Sequence, residues 1–588
     1  MLQTTRNFQR LIRALVFFDE SSNRTLAYQI ERRAEHTGGH PFLLYGERRY
    51  SYAQANAAIN RHAHVYAELG VRRGDVVALC LENRPELLWH VFGLHKLGAV
   101  TSLLNTQLAG DVLVHAISVC EPSRLVVGSE LWAGFAEIRM RLGPLGRDAV
   151  YVDVDPDQAG ERGAHEAPSF DVLVAEAPAT NPETTAQHKL SDLAAYIYTS
   201  GTTGLPKAAL VKHERFSRAG IAWSGAMGLR PGDVMYDCLP LYHANGLILA
   251  IGSVVTAGAT VALARRFSRT RFWADVRKHG ATSFIYIGEL CRYLLNNAPS
   301  ASDRDHRVRA ITGNGLRPDI WREFQSRFGI SKVAEFYAAT EGNCITINFA
   351  NVAGSVGPIL PGMALARWSE AKDDFVRDER GFLTEARIGE PGVLLGKIRA
   401  RMAFDGYRDK RETEGKILRN AFKEGDAYFN TGDLLKVDWW KHLHFVDRLG
   451  DTFRWRGENV STTEVQEQLS KWPAVVEVNV YGVKVPHVEG RAGMAALVLA
   501  EGRSFDPGEF KAHVDQALPG YARPLFVRLR GAMAVTATFK LKKHDLQREG
   551  FDPTASEDAL YFRHPERNEY VRLDPELYAR INQGNLRL

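Results

Sequence analysis

Tyr196-Ile197-Tyr198-Thr199-Ser200-Gly201-Thr202-Thr203-Gly204-Leu205-Pro206-Lys207 decides how the rest of the chain is read. The apolar run from Ala194 to Tyr198 reads as a buried strand, and the loop after it holds four hydroxyl residues and two glycines before closing on Pro206-Lys207. Glycine lets backbone N–H groups approach phosphate oxygens, hydroxyls add donors, and lysine supplies a point charge. The spacing is not that of a Walker A loop. Pro206 stands where the second glycine belongs, and Ala208 follows Lys207 where a magnesium-binding Ser or Thr belongs. Gly313-Asn314-Gly315 runs into Pro318 where a dinucleotide fingerprint needs a third glycine.

Working outward, the first 150 residues alternate helical and strand patterns. Ser51–Leu69 carries a helical apolar stripe, Val76–Cys80 reads as a strand, Leu87–Leu97 as a second helix, and Val100 opens another strand. That rhythm belongs to a doubly wound, mostly parallel sheet. Residues 155–191 are acidic and rich in Pro and Ala, and read as a long surface excursion. The α/β pattern resumes from Leu193. After Asp447 it gives way to α+β character, with strands near Val475–Val480 and Met494–Leu499 and a helix near Pro507–Leu518. The expected architecture is α/β: a large N-terminal domain of doubly wound mixed sheets over 1–446, then a smaller, mobile α+β domain over 447–588.

Asn245–Ala264 carries no charge for 20 residues, long enough on paper to cross a bilayer. Its glycines and hydroxyls instead predict a buried helix over Gly246–Val255, a turn at Gly258 and a buried strand over Thr260–Leu263. At the N-terminus, arginines at 6, 10 and 13 interrupt a short apolar run, which excludes a secretory signal. Leu11, Ile12, Leu15 and Phe18 share one helical face, so the segment reads as a basic interfacial helix or as a helix docked on the domain.

The 588 residues are 45% hydrophobic and 24% charged with a net charge of +5, which excludes wholesale disorder and is too dilute to argue for nucleic acid. Five cysteines with no CxxC pair exclude a disulfide framework or structural zinc. These features predict a cytoplasmic protein, peripheral on the inner face of the membrane if the N-terminal helix attaches there. The oligomeric state is not encoded in any motif.

Thr199–Lys207 resembles the phosphate-binding signature of the adenylate-forming enzymes, and four further segments match in that superfamily's order. Leu239–Gly246 resembles the acyl-pocket segment, with His243 near the incoming carboxylate. Glu335–Glu341 resembles the segment in which Tyr337, beside Ala338, stacks on adenine, Thr340 contacts phosphate and Glu341 holds Mg²⁺. Tyr428–Asp433 resembles the ribose site, with Asp433 taking both ribose hydroxyls, and Asp447-Arg448 resembles the hinge entry, with Arg448 reaching ribose or phosphate. The variants Gly313–Arg317, with Gly313, Asn314 and Gly315 at the nucleotide, Asp451–Ser461 and Thr538–Lys540 resemble the branch of fatty acid transport proteins and very-long-chain acyl-CoA synthetases. The resemblance runs from about residue 45 to the end.

What the resemblance implies is an ATP-dependent ligase. A fatty carboxylate attacks the α-phosphate, pyrophosphate leaves, and the acyl-adenylate passes to CoA with release of AMP. The implied nucleotide residues are Thr199, Ser200, Gly201, Thr202, Thr203, Gly204 and Lys207, with ATP, Mg²⁺ and CoA as cofactors. Lys540 is the implied adenylation lysine, although Phe539 replaces the usual glycine before it and Lys542 and Lys543 lie close by. Gly450 or Asp451 is the pivot, and Arg456-Gly457 is the segment presented to CoA. Two alternatives share the chemistry: delivery of the acyl-AMP to a carrier protein, and fatty acid uptake driven by thioester trapping.

Overall fold

The computed structural model describes residues 18–157, 166–200, 205–369, 372, 374–399, 403–449, 451–455, 458–488, 490–535 and 543–586. The predicted N-terminal helix up to residue 17 lies outside them, as do Gly201, Thr202, Thr203, Gly204, Gly450, Arg456, Gly457 and Lys540, and the side chain of Ser200. The chain forms two compact units, Met1–Ala353 with Arg399–Ile417, and Gly354–Ile398 with Leu418–Leu588.

The first unit holds two mixed sheets. In the six-stranded one, Val76–Cys80 lies between Val100–Leu103 and Arg124–Gly128, all parallel, because its residues bury side chains on both faces. The crossover helices start and stop where the sequence dictates. Ser51 caps Tyr52–Glu68 in a reciprocal box with Gln54, and Pro85–Leu97 ends at Gly98 in the left-handed conformation, φ 70°. Leu193–Ser200 adds parallel to this sheet, and Pro206–Lys212 folds back antiparallel on it, a strand the loop reading did not foresee. Proline is tolerated there as the first residue of an edge strand. The eight-stranded sheet runs parallel from Pro41–Tyr45 to Lys332–Ala338, with an antiparallel strand at each edge.

The charge-free stretch is a buried segment of this unit. Asn245–Ile251 is π-helical, Gly252–Ala257 is α-helical, Gly258 turns at φ 70°, and Thr260–Leu263 is a fully buried strand. The helix His213–Met227 crosses it so closely that a Cβ on Gly220 would meet the Gly252 carbonyl oxygen at 2.5 Å. Among the described residues no helix is long and apolar enough to cross a membrane, and all five cysteines are buried thiols.

The excursion after residue 155 is more than surface. It contains the helix Phe170–Glu176, with Phe170 fully buried, and Asn181 accepts from Asn56 at 2.7 Å and Asn60 at 2.8 Å. Both asparagines also accept from the buried ammonium of Lys96, which bonds Glu31 at 2.6 Å. A buried lysine demands such partners, and polar composition alone does not reveal that the excursion helps supply them.

In the second unit, His442–Arg448, Ala427–Val437, Gly392–Lys397 and Met363–Ala366 form an antiparallel sheet. Val475–Val483, Ala492–Leu499, Phe526–Arg530, Ala559–His564 and Glu569–Arg572 form a second sheet, packed with the helix Pro507–Ala517 around Phe510, Val514, Phe526 and Phe562.

Candidate active site

In the first unit, two predicted segments converge through hydrogen bonds to Tyr407, a residue the sequence reading did not single out. Thr199, half-buried, lies at the end of the strand Leu193–Ser200, where sheet pairing delivers it to the serine/threonine turn. Glu341 follows the strand Lys332–Ala338, and Tyr407 joins the two. Its hydroxyl donates to Glu341 Oε1 at 2.7 Å and interacts with the Thr199 side chain. Burial, reinforced by the Glu341 charge, pushes the Tyr407 phenol well up, so it remains a donor. Tyr407 is held by backbone: Leu210 N–H donates to Gly406 O at 3.0 Å and Arg408 N–H to Ala208 O at 2.9 Å, continuing the edge of Pro206–Lys212.

Lys207 pairs with Glu412 and stands 6.0 Å from the centre of the Tyr407 ring. Sequence reading placed Lys207 at the phosphates but missed both partners. It also missed Arg215, a half-buried residue of the helix His213–Met227. Arg215 donates to the carbonyls of Ala339 at 3.2 Å, Thr340, and Gly342 at 2.8 Å, fixing the loop that carries Thr340 and Glu341. The planar guanidinium spreads its donors over two nitrogens, Nη1 on Ala339 and Thr340 and Nη2 on Gly342, so one rigid fork spans the loop.

Gly313–Gly315 ends the strand Ala310–Asn314, and Asn245 Nδ2 donates to Asn314 Oδ1 at 2.8 Å. That bond ties the predicted nucleotide loop to the predicted acyl segment, where His243 is half-buried and its ring lies 4.8 Å from that of Tyr242. The loop needs its glycines: a Cβ on Gly313 would sit 2.3 Å from Tyr286 O, and Gly315 has φ 83°. Tyr337 is buried on the strand and Ala338 beside it is exposed.

Glu335, fully buried, braces the same loop. Leu316 N–H donates to Oε1 at 3.1 Å and Tyr286 O–H donates to Oε2. Burial pushes its carboxyl up to about 8, against these hydrogen bonds, which favour the anion. The unfolded chain ionises near the ordinary glutamate value of 4.5. Between those values the folded state keeps a proton that the unfolded state has lost, so stability falls as pH rises and levels off above about 8. Glu335→Gln, neutral at every pH, is expected to remove that slope, a difference on the order of a few kcal/mol. Denaturant unfolding at acidic, neutral and mildly alkaline pH reads it, and a variant with the wild-type slope contradicts it.

In the second unit, the register of Ala427–Val437 with His442–Arg448 sets Asp433 opposite Arg448, with Arg448 Nε 3.3 Å from Asp433 Oδ1. These are the two residues predicted at the ribose. Asp447, buried, accepts from Thr462 N–H at 2.8 Å and from the hydroxyls of Thr462 and Ser461 at 3.1 and 3.2 Å. Lys543 bonds Asp451 at 3.2 Å and Thr462 Oγ1 at 2.9 Å, which anchors it to the start of the unit's α+β part.

Among the described residues, His62, His90 and Asp153 hold ligand-type atoms within 4.8 Å of one another. Asp153 is committed to Arg84 at 2.7 Å and to His90 at 2.6 Å; burial alone raises its carboxyl, and Arg84 with His90 instead holds it below the usual range. This is a buried polar staple. Hard-oxygen character belongs to Glu341, only one of whose oxygens Tyr407 engages.

The AMP-binding enzyme family model matches residues 30–396, and the model of the AMP-binding enzyme C-terminal domain matches 464–540. The chain is 42% identical to a medium/long-chain-fatty-acid–CoA ligase of Mycobacterium tuberculosis, over 92% of its own length and 88% of that protein. It is 40% identical to long-chain fatty acid transport protein 6 of Mus musculus, over 95% and 91%. Among solved structures, ATP-bound MatB from Rhodopseudomonas palustris superposes with a TM-score of 0.74 at 25% identity, covering 89% of this chain and 98% of that one. With the family model spanning most of its length and a relative 42% identical over 92% of it, the chain belongs to the AMP-binding enzyme family.

Proposed function

We propose that the chain is an acyl-CoA synthetase that activates long- or very-long-chain fatty acids through an acyl-adenylate, consuming ATP and CoA and releasing AMP and pyrophosphate. The observation that carries this reading is Tyr407, which couples Glu341 to Thr199 at the edge of the phosphate-binding turn. It is supported by the likeness to a medium/long-chain-fatty-acid–CoA ligase over nearly the whole chain.

The chemical difficulty is electrostatic, since a carboxylate must approach a polyanion. Amides and hydroxyls of Thr199 to Gly204, with Lys207, bind the phosphates, and Lys540 stabilises charge developing at the α-phosphate. Tyr337 and the Gly313–Gly315 loop take the adenine, and Asp433 with Arg448 takes the ribose. His243 orients the acyl carboxylate. Glu341 would hold a hard divalent cation such as Mg²⁺, which would offset triphosphate charge. The acyl chain is assigned to the apolar segments around Trp223–Met227 and the π-helical Asn245–Ile251, whose side chains are largely buried. Residues 1–446 thus carry adenylation, and 447–588 act as the lid that presents Arg456-Gly457 to CoA.

Gly457→Leu is expected to leave ATP–pyrophosphate exchange intact and abolish CoA transfer, because a side chain there obstructs the pantetheine arm. Loss of exchange in that variant places the glycine elsewhere. Pyrophosphate release across a series of acids from medium to very long chains tests the substrate class. Turnover rising toward long chains is expected, and turnover confined to short or aromatic acids overturns it. The likeness to fatty acid transport proteins favours a second role for the same chemistry: thioester formation traps incoming acid and drives uptake, with the basic N-terminal segment attaching the chain to the membrane surface.

A further inference from the structure

In the second unit, the strands Ala427–Val437 and His442–Arg448 are joined by a tight turn whose tip is Trp439-Trp440. The two residues are 82% and 83% exposed, more than any other large hydrophobic among the described residues. The turn presents them rigidly. Asp438 Oδ1 accepts from the N–H groups of Trp440 at 2.9 Å and His442 at 2.8 Å, and Lys441 O, at φ 64°, accepts from Ile359 N–H at 2.9 Å. Two indoles held in water by a capped turn are costly unless something covers them.

The surroundings name the occupant. Lys441 in the turn and Lys436 before it are exposed, and Gly389 N–H donates to Val437 O at 2.9 Å, which brings the exposed Arg387 and Ile388 beside them. None of these three cations forms an ion pair among the described residues. Of the nearby acids, Asp438 is engaged by the turn and by His444 at 3.0 Å, and Glu390 by Arg367 at 2.8 Å, by the Arg387 N–H at 3.0 Å and electrostatically by the Arg387 charge. Exposed tryptophan pairs flanked by unpaired cations match a bilayer interface, where indoles settle at headgroup depth and cations meet anionic lipid. We propose that the Trp439-Trp440 turn is a docking device for an anionic lipid surface, distinct from the N-terminal segment.

The test uses the full-length protein with vesicles of phosphatidylcholine alone or mixed with phosphatidylglycerol. Wild type is expected to co-sediment with the anionic vesicles and to show tryptophan quenching by lipids brominated in the upper acyl chain. W439S/W440S is expected to lose about tenfold or more in partitioning and to lose the quenching, and K441E to weaken anionic binding. ATP–pyrophosphate exchange with a medium-chain acid, unchanged in both variants, shows that they are folded, and the vesicle readouts stand whether or not the ligase reading does. Undiminished quenching in W439S/W440S overturns the proposal. So does a change of oligomeric state in that variant without a change in partitioning, which makes the turn a protein interface.

Discussion

Lys540→Ala is expected to slow acyl-adenylate formation by about 10²–10³-fold, the loss of one preorganised donor to developing charge, on the order of 3 kcal/mol. The half-reactions separate cause from collapse. ATP–pyrophosphate exchange falls by that factor, while thioester formation from supplied acyl-AMP and CoA proceeds at the wild-type rate, because no anion then has to approach the triphosphate. Of the lysines that cluster in this segment, Lys543 is already engaged by Asp451 and Thr462. Removing Lys543 is therefore expected to loosen the start of the α+β part without the selective loss of adenylation. Equal damage to both half-reactions in Lys540→Ala withdraws the assignment of that lysine.

Asp433→Ala is expected to lower kcat/KM for ATP by roughly 10²–10⁴, since two hydrogen bonds to a charged acceptor are worth about 1.5–3 kcal/mol each. The register that sets Asp433 across from Arg448 gives the carboxylate a partner 3.3 Å away, so its position is fixed before any nucleotide arrives. The diagnostic is discrimination against 2′-deoxy-ATP. Wild type rejects the analogue because it leaves a carboxylate oxygen unpaired, and the variant accepts both nucleotides nearly alike. Asp433→Asn, which keeps one acceptor, falls between. A variant that still rejects the deoxynucleotide as strongly as wild type removes Asp433 from the ribose.

Most of the fold was legible because local signals agreed with the global pattern. The Ser51–Gln54 box, the Gly98 stop and the run Val76–Cys80 each specify their element without help from distant chain. The charge-free stretch at 245–264 was readable for the same reason, its glycines marking the turn and a crossing that admits no Cβ. The bracing of the site was not legible. Arg215, Glu335, Tyr407 and Glu412 read in sequence as ordinary helical, strand or surface residues, and their partners lie far along the chain: Arg215 on the carbonyls of residues 339–342, Tyr407 on Glu341, Glu412 on Lys207. Such contacts exist only once the sheets are assembled. The excursion after residue 155 misled for a related reason: Asn181 serves a buried lysine, a role that polar composition conceals.

The most direct measurement is isotopic exchange between pyrophosphate and ATP with purified protein, magnesium and a long-chain fatty acid, with CoA left out. Exchange that requires the acid, and that gives way to equimolar acyl-CoA and AMP when CoA is added, is the predicted result. No exchange under those conditions, or cleavage of ATP to ADP, contradicts an acyl-adenylate at this site.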